Sequence, residues 1–534
     1  MKNTLLLGDE VIAQAALDAG ISGMFAYPGT PSTEITEYIQ NSKQAAERKV
    51  HSFWAANEKT SMEMAVGMSY AGKRSMVAMK HVGLNVAADA FINSALTGVN
   101  GGLLVVVADD PSMHSSQNEQ DSRFYAKFSF IPCFEPSNQQ EAYEMVFDAF
   151  ELSEKYKLPV LLRITTRLAH SRSAVKLRNP MEEKQFPLPQ DQLQFVLLPM
   201  VARKKYKLLL EAYENFKQDE CLKKYNHFKD GNNRKMGVIA CGIAYNYLTE
   251  MKAEDSDFPI LRIAAYPFSK DVIKNIVDKC ESVLILEDGA PMLEESLRGI
   301  LDEGIKVLGR MDGTIPRDGE LTPAIVAKAL GVKTPKEDMS PLVKNRPPSF
   351  CKGCGHADMF LDINEALKPY PNGRVFSDIG CYTLGALPPY NSIISCLDMG
   401  AAVTMAVGAA EAGLFPSLCV IGDSTFTHSG ITGLLDGVIR NTSVTIIIAD
   451  NSTVAMTGGQ DSHAVGRLAE ICKGTGVDAQ HIREIIPLPK NHEENVRIIR
   501  EEIEFKGVSV IIASRECIQT LIRKKNQTHR NFVE

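Results

Sequence analysis

No run of apolar residues in this 534-residue sequence approaches the ~18 to 20 that a membrane-spanning helix requires. Leu5-Leu6-Leu7, near the amino end, is too short an apolar stretch for a secretory signal peptide. Both absences point to a cytoplasmic protein with no membrane partner. A basic face is missing too: 58 Lys and Arg stand against 65 Asp and Glu, a formal net charge of -7 with the two signs interspersed. Nucleic acid is therefore not expected as a partner. The densest basic stretch, Arg203-Lys204-Lys205, Lys207 and Lys223-Lys224, lies among glutamates and reads as the solvated face of a helix. No short fixed period repeats along the chain. No Gly-x-Gly-x-x-Gly follows a predicted strand, so NAD has no support. Cysteines number eleven, an odd count scattered over a long chain, and a disulfide framework is not expected. One pair, Cys351-Lys-Gly-Cys354, has metal-ligand spacing. What remains is an ordinary globular composition, 44% hydrophobic and 23% charged.

A chain this long exceeds one core, and usual domain sizes suggest roughly three or four compact units. Over residues 1–172, apolar β-branched runs such as Leu103-Leu104-Val105-Val106-Val107-Ala108 alternate with small-residue helical stretches, which predicts a doubly wound α/β domain. Residues 173–233 turn Pro-rich and then Lys/Glu-rich, predicting a crossing linker with one helix from about Val201 to Asn226. Strand patterns at Gly237–Ala240, Ile260–Ile263 and Val283–Glu287 predict a small α/β domain over 234–333. A polar, Pro-rich linker follows at 334–348. Residues 349–534 form the last α/β domain. The predicted fold class is thus α/β, with two doubly wound domains flanking a smaller one.

In the last domain, Gly422-Asp423-Ser424 follows the apolar run Ser417–Ile421, and Asp450-Asn451 follows Val444–Ala449. Each run reads as a buried parallel strand, and open α/β sheets bind ligands at the carboxyl ends of such strands. A hard divalent cation there would take oxygens from Asp423, the Asn451 side chain and a backbone carbonyl just beyond, and would hold a diphosphate. The same residues are also ordinary turn formers.

Other segments, taken in order, carry a resemblance. They are Tyr27-Pro-Gly-Thr-Pro-Ser32, Asn57-Glu58-Lys59, Met79-Lys-His-Val-Gly-Leu-Asn85, Asp109-Asp110-Pro111, His114 to Arg123, Asp378-Ile-Gly-Cys381, Asp398-Met-Gly400 and Ala455-Met-Thr-Gly458. With Gly422-Asp423-Ser424 they are similar, over nearly the whole chain, to the α subunits of the indolepyruvate:ferredoxin oxidoreductases, thiamine-diphosphate-dependent 2-oxoacid:ferredoxin oxidoreductases. The resemblance implies that the amino-terminal domain cradles the aminopyrimidine of thiamine diphosphate and the carboxyl-terminal domain its diphosphate. Glu58 matches the carboxylate that activates the cofactor. Asp423 and Asn451 would ligate Mg²⁺ through side chains and Thr453 through its carbonyl, with Gly422 and Ser424 completing the cofactor-binding turn. Ser424 stands where many thiamine enzymes have Gly, and Asp450 where many have a first Asn; neither removes a ligand position. As a plain sequence feature Ser424 is equally a helix N-cap. Thr30 matches a threonine facing substrate in relatives acting on pyruvate. Lys80, His81 and Arg123 are further candidates to hold the 2-oxoacid carboxylate, although single His and Arg residues also serve structure alone.

By the same resemblance Cys351, Cys354, Cys381 and Cys517 match four positions that hold one [4Fe-4S] cluster beside the cofactor. A zinc site using His356, or buried free thiols, are the alternatives. Relatives continue into a domain of repeated Cys-x-x-Cys-x-x-Cys-x-x-x-Cys-Pro runs that does not occur here. Either a ferredoxin or ferredoxin-like subunit then carries the electrons, or the acceptor differs. The family also implies a smaller partner subunit, CoA and an aryl 2-oxoacid as substrates, and a homo- or hetero-oligomer. The expected reaction is oxidative decarboxylation of that acid to its acyl-CoA. The alternatives are a non-oxidative thiamine-dependent decarboxylase or carboligase, and a non-catalytic subunit.

Overall fold

The computed structural model describes residues 3–251, 257–298, 305–332 and 348–531, with Leu342 and Lys344 between them. Most of the linker expected at 334–348 lies outside the described residues. The chain divides into two compact units, Met1–Asp338 and Met339–Glu534, rather than the three or four that length suggests.

In the first unit a seven-stranded sheet has the spatial order Ala265–Tyr266, Cys133–Phe134, Val160–Thr165, Leu103–Asp109, Ser75–Lys80, Gly23–Ala26, His51–Trp54. Its strands are parallel except the first, which pairs antiparallel with Cys133–Phe134. The inner strands are buried along their whole length, as their unbroken apolar runs require for a sheet covered on both faces. From Gly23–Ala26 the chain crosses to one side as His51–Trp54 and returns on the other as Ser75–Lys80. That reversal opens a crevice at the carboxyl ends of Gly23–Ala26 and Ser75–Lys80.

A second, five-stranded sheet runs Lys306–Leu308, Ser282–Leu286, Gly237–Cys241, Ile260–Ile263, His227–Lys229. It belongs to the same unit because Ala265–Tyr266, the continuation of its strand Ile260–Ile263, caps the edge of the first sheet. One apolar core therefore serves both sheets. The single helix expected over 201–226 is two, Pro199–Phe216 and Glu220–Lys223. Asp219 breaks it: its carboxylate accepts from Cys221 N (2.9 Å) and Tyr156 Oη (2.7 Å), which holds the residue as an extended cap.

The second unit is one five-stranded parallel sheet, ordered Arg374–Ser377, Ser417–Gly422, Val444–Asp450, Val508–Ser514, Ile482–Ile485. Alternate residues feed opposite faces: Leu418, Val420, Ile447 and Ile511 enter one core, and Cys419, Ile421, Ile446 and Ile512 the other. Each such Leu, Ile or Val contributes roughly 1.5–3 kcal/mol by leaving water. The strand ends between the cores are thereby held rigidly. No helix among the described residues is long and apolar enough to cross a membrane.

Candidate cofactor sites

In the first unit, the crevice gathers several of the expected residues. Asn57 caps the helix Glu58–Tyr70, accepting from Thr60 N at 2.9 Å, and this places Glu58 at the helix start with its side chain buried. The helix beginning at His81 passes directly under it. A Cβ on Gly83 would lie 2.6 Å from Glu58 Cγ and Oε1, so only glycine leaves room for the carboxylate in this position. Lys80 ends its strand nearly buried and donates from Nζ to Ser115 O at 3.0 Å. Burial pushes its ammonium down to about 8, against the pull of Asp110. Ser115 Oγ in turn donates to Thr30 O at 3.4 Å, so Thr30, Ser115 and Lys80 form one cluster at the crevice.

His81 is buried, with Nε2 3.2 Å from Asn118 O and Nδ1 without a hydrogen-bond partner among the described residues. Desolvation lowers its pKa, against the pull of Asp109. Asp110 accepts from Ser115 N (2.8 Å), Ser116 Oγ (2.6 Å) and Thr166 Oγ1 (2.7 Å). Burial raises its pKa, but these bonds outweigh it and hold the carboxyl below its ordinary range.

Arg123 stands apart from this cluster in its bonding. Its guanidinium donates to Asp121 (2.6 Å), Glu287 (2.9 Å), Tyr266 Oη (3.3 Å) and Ala290 O (3.0 Å), with no exposed side-chain surface. Every nitrogen thus has a partner within the unit, Nε on Asp121 and the two Nη also on Glu287, Tyr266 and Ala290, and none is left over for the expected substrate carboxylate.

In the second unit, register aligns Gly422 with Ala449 and so brings Asp423 and Asp450 to the same sheet edge. Asp423 is 1% exposed, and its Oδ2 has no hydrogen-bond partner among the described residues. Burial pushes its carboxyl up to about 7; Ser462 hydrogen-bonds to it and opposes this, and Asp450 adds like charge. Such an orphaned buried oxygen beside a second carboxylate fits a divalent cation. Asn451 Oδ1 accepts from Thr453 N at 3.1 Å and closes the turn, with Ser452 at φ 60° between them. Thr453 is buried, its hydroxyl donating to Gln460 O at 2.8 Å. Ser424 makes no cap bond by side chain; it lies buried in the short turn that follows the strand.

Sequence reading assigned no role to the residues that shape this edge. Asp378 accepts from the amides of Gly400 (3.0 Å) and Ala402 (3.2 Å) and from Tyr382 Oη. It thereby ties the strand Arg374–Ser377 to the helix Ala401–Glu411. The Tyr382 ring fills the space beside Gly422, where a Cβ would approach it to 2.7 Å. The Gly400 φ of +96° and its contact with Ser429 admit glycine alone. The motif Asp398-Met-Gly400 marked these positions without revealing the contacts.

Cys351, Cys354, Cys381 and Cys517 line one cavity of about 130 Å³ together with His356 and Asn451. Beyond the paired strands, Arg515 N donates to Asp450 O (2.9 Å) and Cys517 N to Asn451 O (3.1 Å), so this cavity adjoins the Asp423–Asn451 edge. Cys381 is pushed up to about 12 by burial and by the other three thiols, and burial likewise raises Cys354. Among the described residues neither ring nitrogen of the buried His356 has a hydrogen-bond partner, and desolvation lowers its pKa to about 4. Tetrahedral zinc with bonds of about 2.3 Å needs ligand atoms roughly 3.8 Å apart. Among the described residues no three of these Cys and His ligand atoms lie within 4.8 Å of one another.

The chain matches two families of thiamine diphosphate binding domain. Residues 14–205 match "Pyruvate flavodoxin/ferredoxin oxidoreductase, thiamine diP-bdg", and residues 378–512 match "Thiamine pyrophosphate enzyme, C-terminal TPP binding domain". It is 37% identical to the indolepyruvate oxidoreductase subunit IorA of Thermococcus kodakarensis over 97% of this chain and 86% of that protein. The chain belongs to the IorA family. The IorA proteins of Archaeoglobus fulgidus (36% identity) and Methanothermobacter marburgensis (35%) align over 97% and 96% of the chain, and each over 86% of its own length. Family membership makes this a subunit of a thiamine-diphosphate-dependent oxidoreductase. The crevice with Glu58 lies within the first matched segment, and the edge with Asp423 within the second.

Proposed function

We propose that this chain is the cofactor-binding subunit of a cytoplasmic 2-oxoacid:ferredoxin oxidoreductase that converts an aryl 2-oxoacid such as indolepyruvate to its acyl-CoA, together with a smaller partner subunit. The observation that carries this is the pairing, in the second unit, of an orphaned buried carboxylate at Asp423 with an adjoining cavity of four thiols. A diphosphate–metal edge and a redox carrier side by side are what a decarboxylase with a single-electron outlet requires.

When bound, thiamine diphosphate supplies the electron sink without which a 2-oxoacid does not lose CO₂. Asp423, Asn451 and Thr453 hold Mg²⁺, and Gly422 and Ser424 leave backbone room and a hydroxyl for phosphate oxygens. Glu58 holds a proton at the aminopyrimidine nitrogen, its position set by Asn57 and Gly83. Lys80 and Thr30 receive the 2-oxoacid carboxylate, and His81 lies alongside. Cys351, Cys354, Cys381 and Cys517 would hold one [4Fe-4S] cluster, which would supply a single-electron outlet toward ferredoxin or a ferredoxin-like subunit. Residues 1–172 and 349–534 act as the pyrimidine and diphosphate domains, joined through the smaller domain at 234–333 and the segments 173–233 and 334–348.

Anaerobic purification tests the reading. About four irons and one thiamine diphosphate per chain are expected, with a brown cluster absorbance bleached by 2-oxoacid and CoA; Cys381→Ser should lose iron while keeping thiamine diphosphate. A colourless, iron-free protein that decarboxylates indolepyruvate would replace it with the non-oxidative reading.

Lys80 gives a pH signature. Its ammonium, held at about 8 by burial, loses its proton as pH rises through that value, while the 2-oxoacid stays anionic. KM should therefore climb above about pH 8 with kcat little changed, and Lys80→Met should raise KM at lower pH and flatten the profile. A KM independent of pH from about 7 to 9.5 in the wild type would remove Lys80 from substrate binding.

A further inference from the structure

Asp9, Glu34 and His170 converge in the first unit, each offering a ligand atom within 4.8 Å of the other two. They come from three helices, Gly8–Asp18, Thr33–Gln40 and Thr166–His170. None of the roles proposed above uses them. Asp9 is fully buried, and neither of its carboxylate oxygens meets a hydrogen-bond donor among the described residues. The neighbouring Glu34 carboxylate adds like charge. His170 Nε2 stands 3.7 Å from Glu34 Oε2, and both side chains are about one-third exposed (36% and 37%), which leaves a way in from solvent.

The backbone is arranged to bring these groups together. A Cβ on Gly8 would lie 2.1 Å from Leu168 O, and Gly8 N donates to Ser171 O at 3.1 Å. Glycine at position 8 lets the first helix begin against the end of the one carrying His170. Two acids so close must share a proton or take a positive centre between them, and the His170 imidazole beside Glu34 completes a three-point set.

We propose that Asp9, Glu34 and His170 bind a divalent first-row cation that clamps the three helices together. Two carboxylates and one imidazole suit manganese or zinc, whereas Mg²⁺ and Ca²⁺ favour oxygen alone. Water fills the remaining positions on the open side. The site is separate from the Asp423 edge and makes no demand on the reaction.

Mn²⁺ alone is the probe, since it binds thiolates poorly and so avoids the cysteine cavity. Chelator-stripped full-length protein, without thiamine diphosphate, is titrated and free Mn²⁺ followed by electron paramagnetic resonance. One equivalent should persist in Asp423→Asn, show ¹⁴N coupling, and raise the melting temperature. In His170→Ala, where a side chain about one-third exposed is removed, affinity should fall at least about tenfold, the loss typical of disturbing even a supporting residue of a metal site, and the coupling should vanish. Asp9→Asn should lower the affinity by a similar factor. No retained equivalent in Asp423→Asn, or one unaffected by both His170→Ala and Asp9→Asn, would overturn the proposal and leave Asp9 and Glu34 sharing a proton instead.

Discussion

Asp423→Asn should make the metal-free protein more stable while abolishing its response to thiamine diphosphate and Mg²⁺. The Asp423 carboxyl is buried and pushed up to about 7 from an ordinary 3.8. A group whose folded value is raised binds more protons in the folded than in the unfolded chain between those limits, so stability falls as pH rises from about 4 to about 7. At neutral pH the uncompensated charge costs up to roughly 4 kcal/mol, and asparagine removes that cost while keeping the shape. Asp378, also raised to about 7 by burial, shares the window, but its oxygens already accept from Gly400, Ala402 and Tyr382. Thermal melts in chelator at pH 4 to 8 should therefore show a reduced pH slope in Asp423→Asn and a higher melting temperature at pH 7.5. Addition of thiamine diphosphate with Mg²⁺ should stabilise the wild type and leave the variant unmoved. A variant less stable than wild type in chelator, or one still stabilised by the cofactor, would mean that Asp423 is an ordinary structural acid.

Gly83→Ala should cost activity without costing stability. Alanine gains up to about 1 kcal/mol over glycine in a helix, and the Gly83 backbone lies in the helix His81–Thr97. The new Cβ would nevertheless sit 2.6 Å from Glu58 Cγ and Oε1, and the flexible end of a side chain is what moves. The carboxylate is displaced from the cofactor, and decarboxylation should fall by about 10²–10⁴, the usual share of a positioned proton carrier. Glu58→Gln should lose as much with the fold intact. Because both changes act through one group, the double variant should be no worse than Glu58→Gln alone. Full turnover in Gly83→Ala, or losses that multiply in the double variant, would separate Gly83 from Glu58 and leave the latter without its assigned role.

The legible parts of this chain are those where local pattern and burial agree. Val444–Asp450 and Leu103–Asp109 are buried on both faces, so they had to be written as unbroken β-branched runs, and both were readable as strands. His51–Trp54 alternates exposed and half-buried residues at a sheet edge and carries no comparable signal. The break near Asp219 was hidden because its cause is Lys155 and Tyr156, more than 60 positions away in sequence. At the sites, Asp423 and Asn451 could be placed because a strand ending in a polar tip marks its own position at the sheet edge. Arg123 could not, since Asp121 and Glu287, the latter 164 residues on, consume its guanidinium.

By itself the sequence determined the α/β class, the strands that form the two sheet edges, and the membership that its ordered motifs carry, because each depends on neighbours along the chain. Tertiary structure alone decided which charges remain uncompensated. Among the described residues both oxygens of Asp9 and Oδ2 of Asp423 are left without a donor, while Arg123 is fully paired. Whether a charged group is spent or available depends on burial and on partners that only folding brings within reach, and that difference separates scaffold from site here.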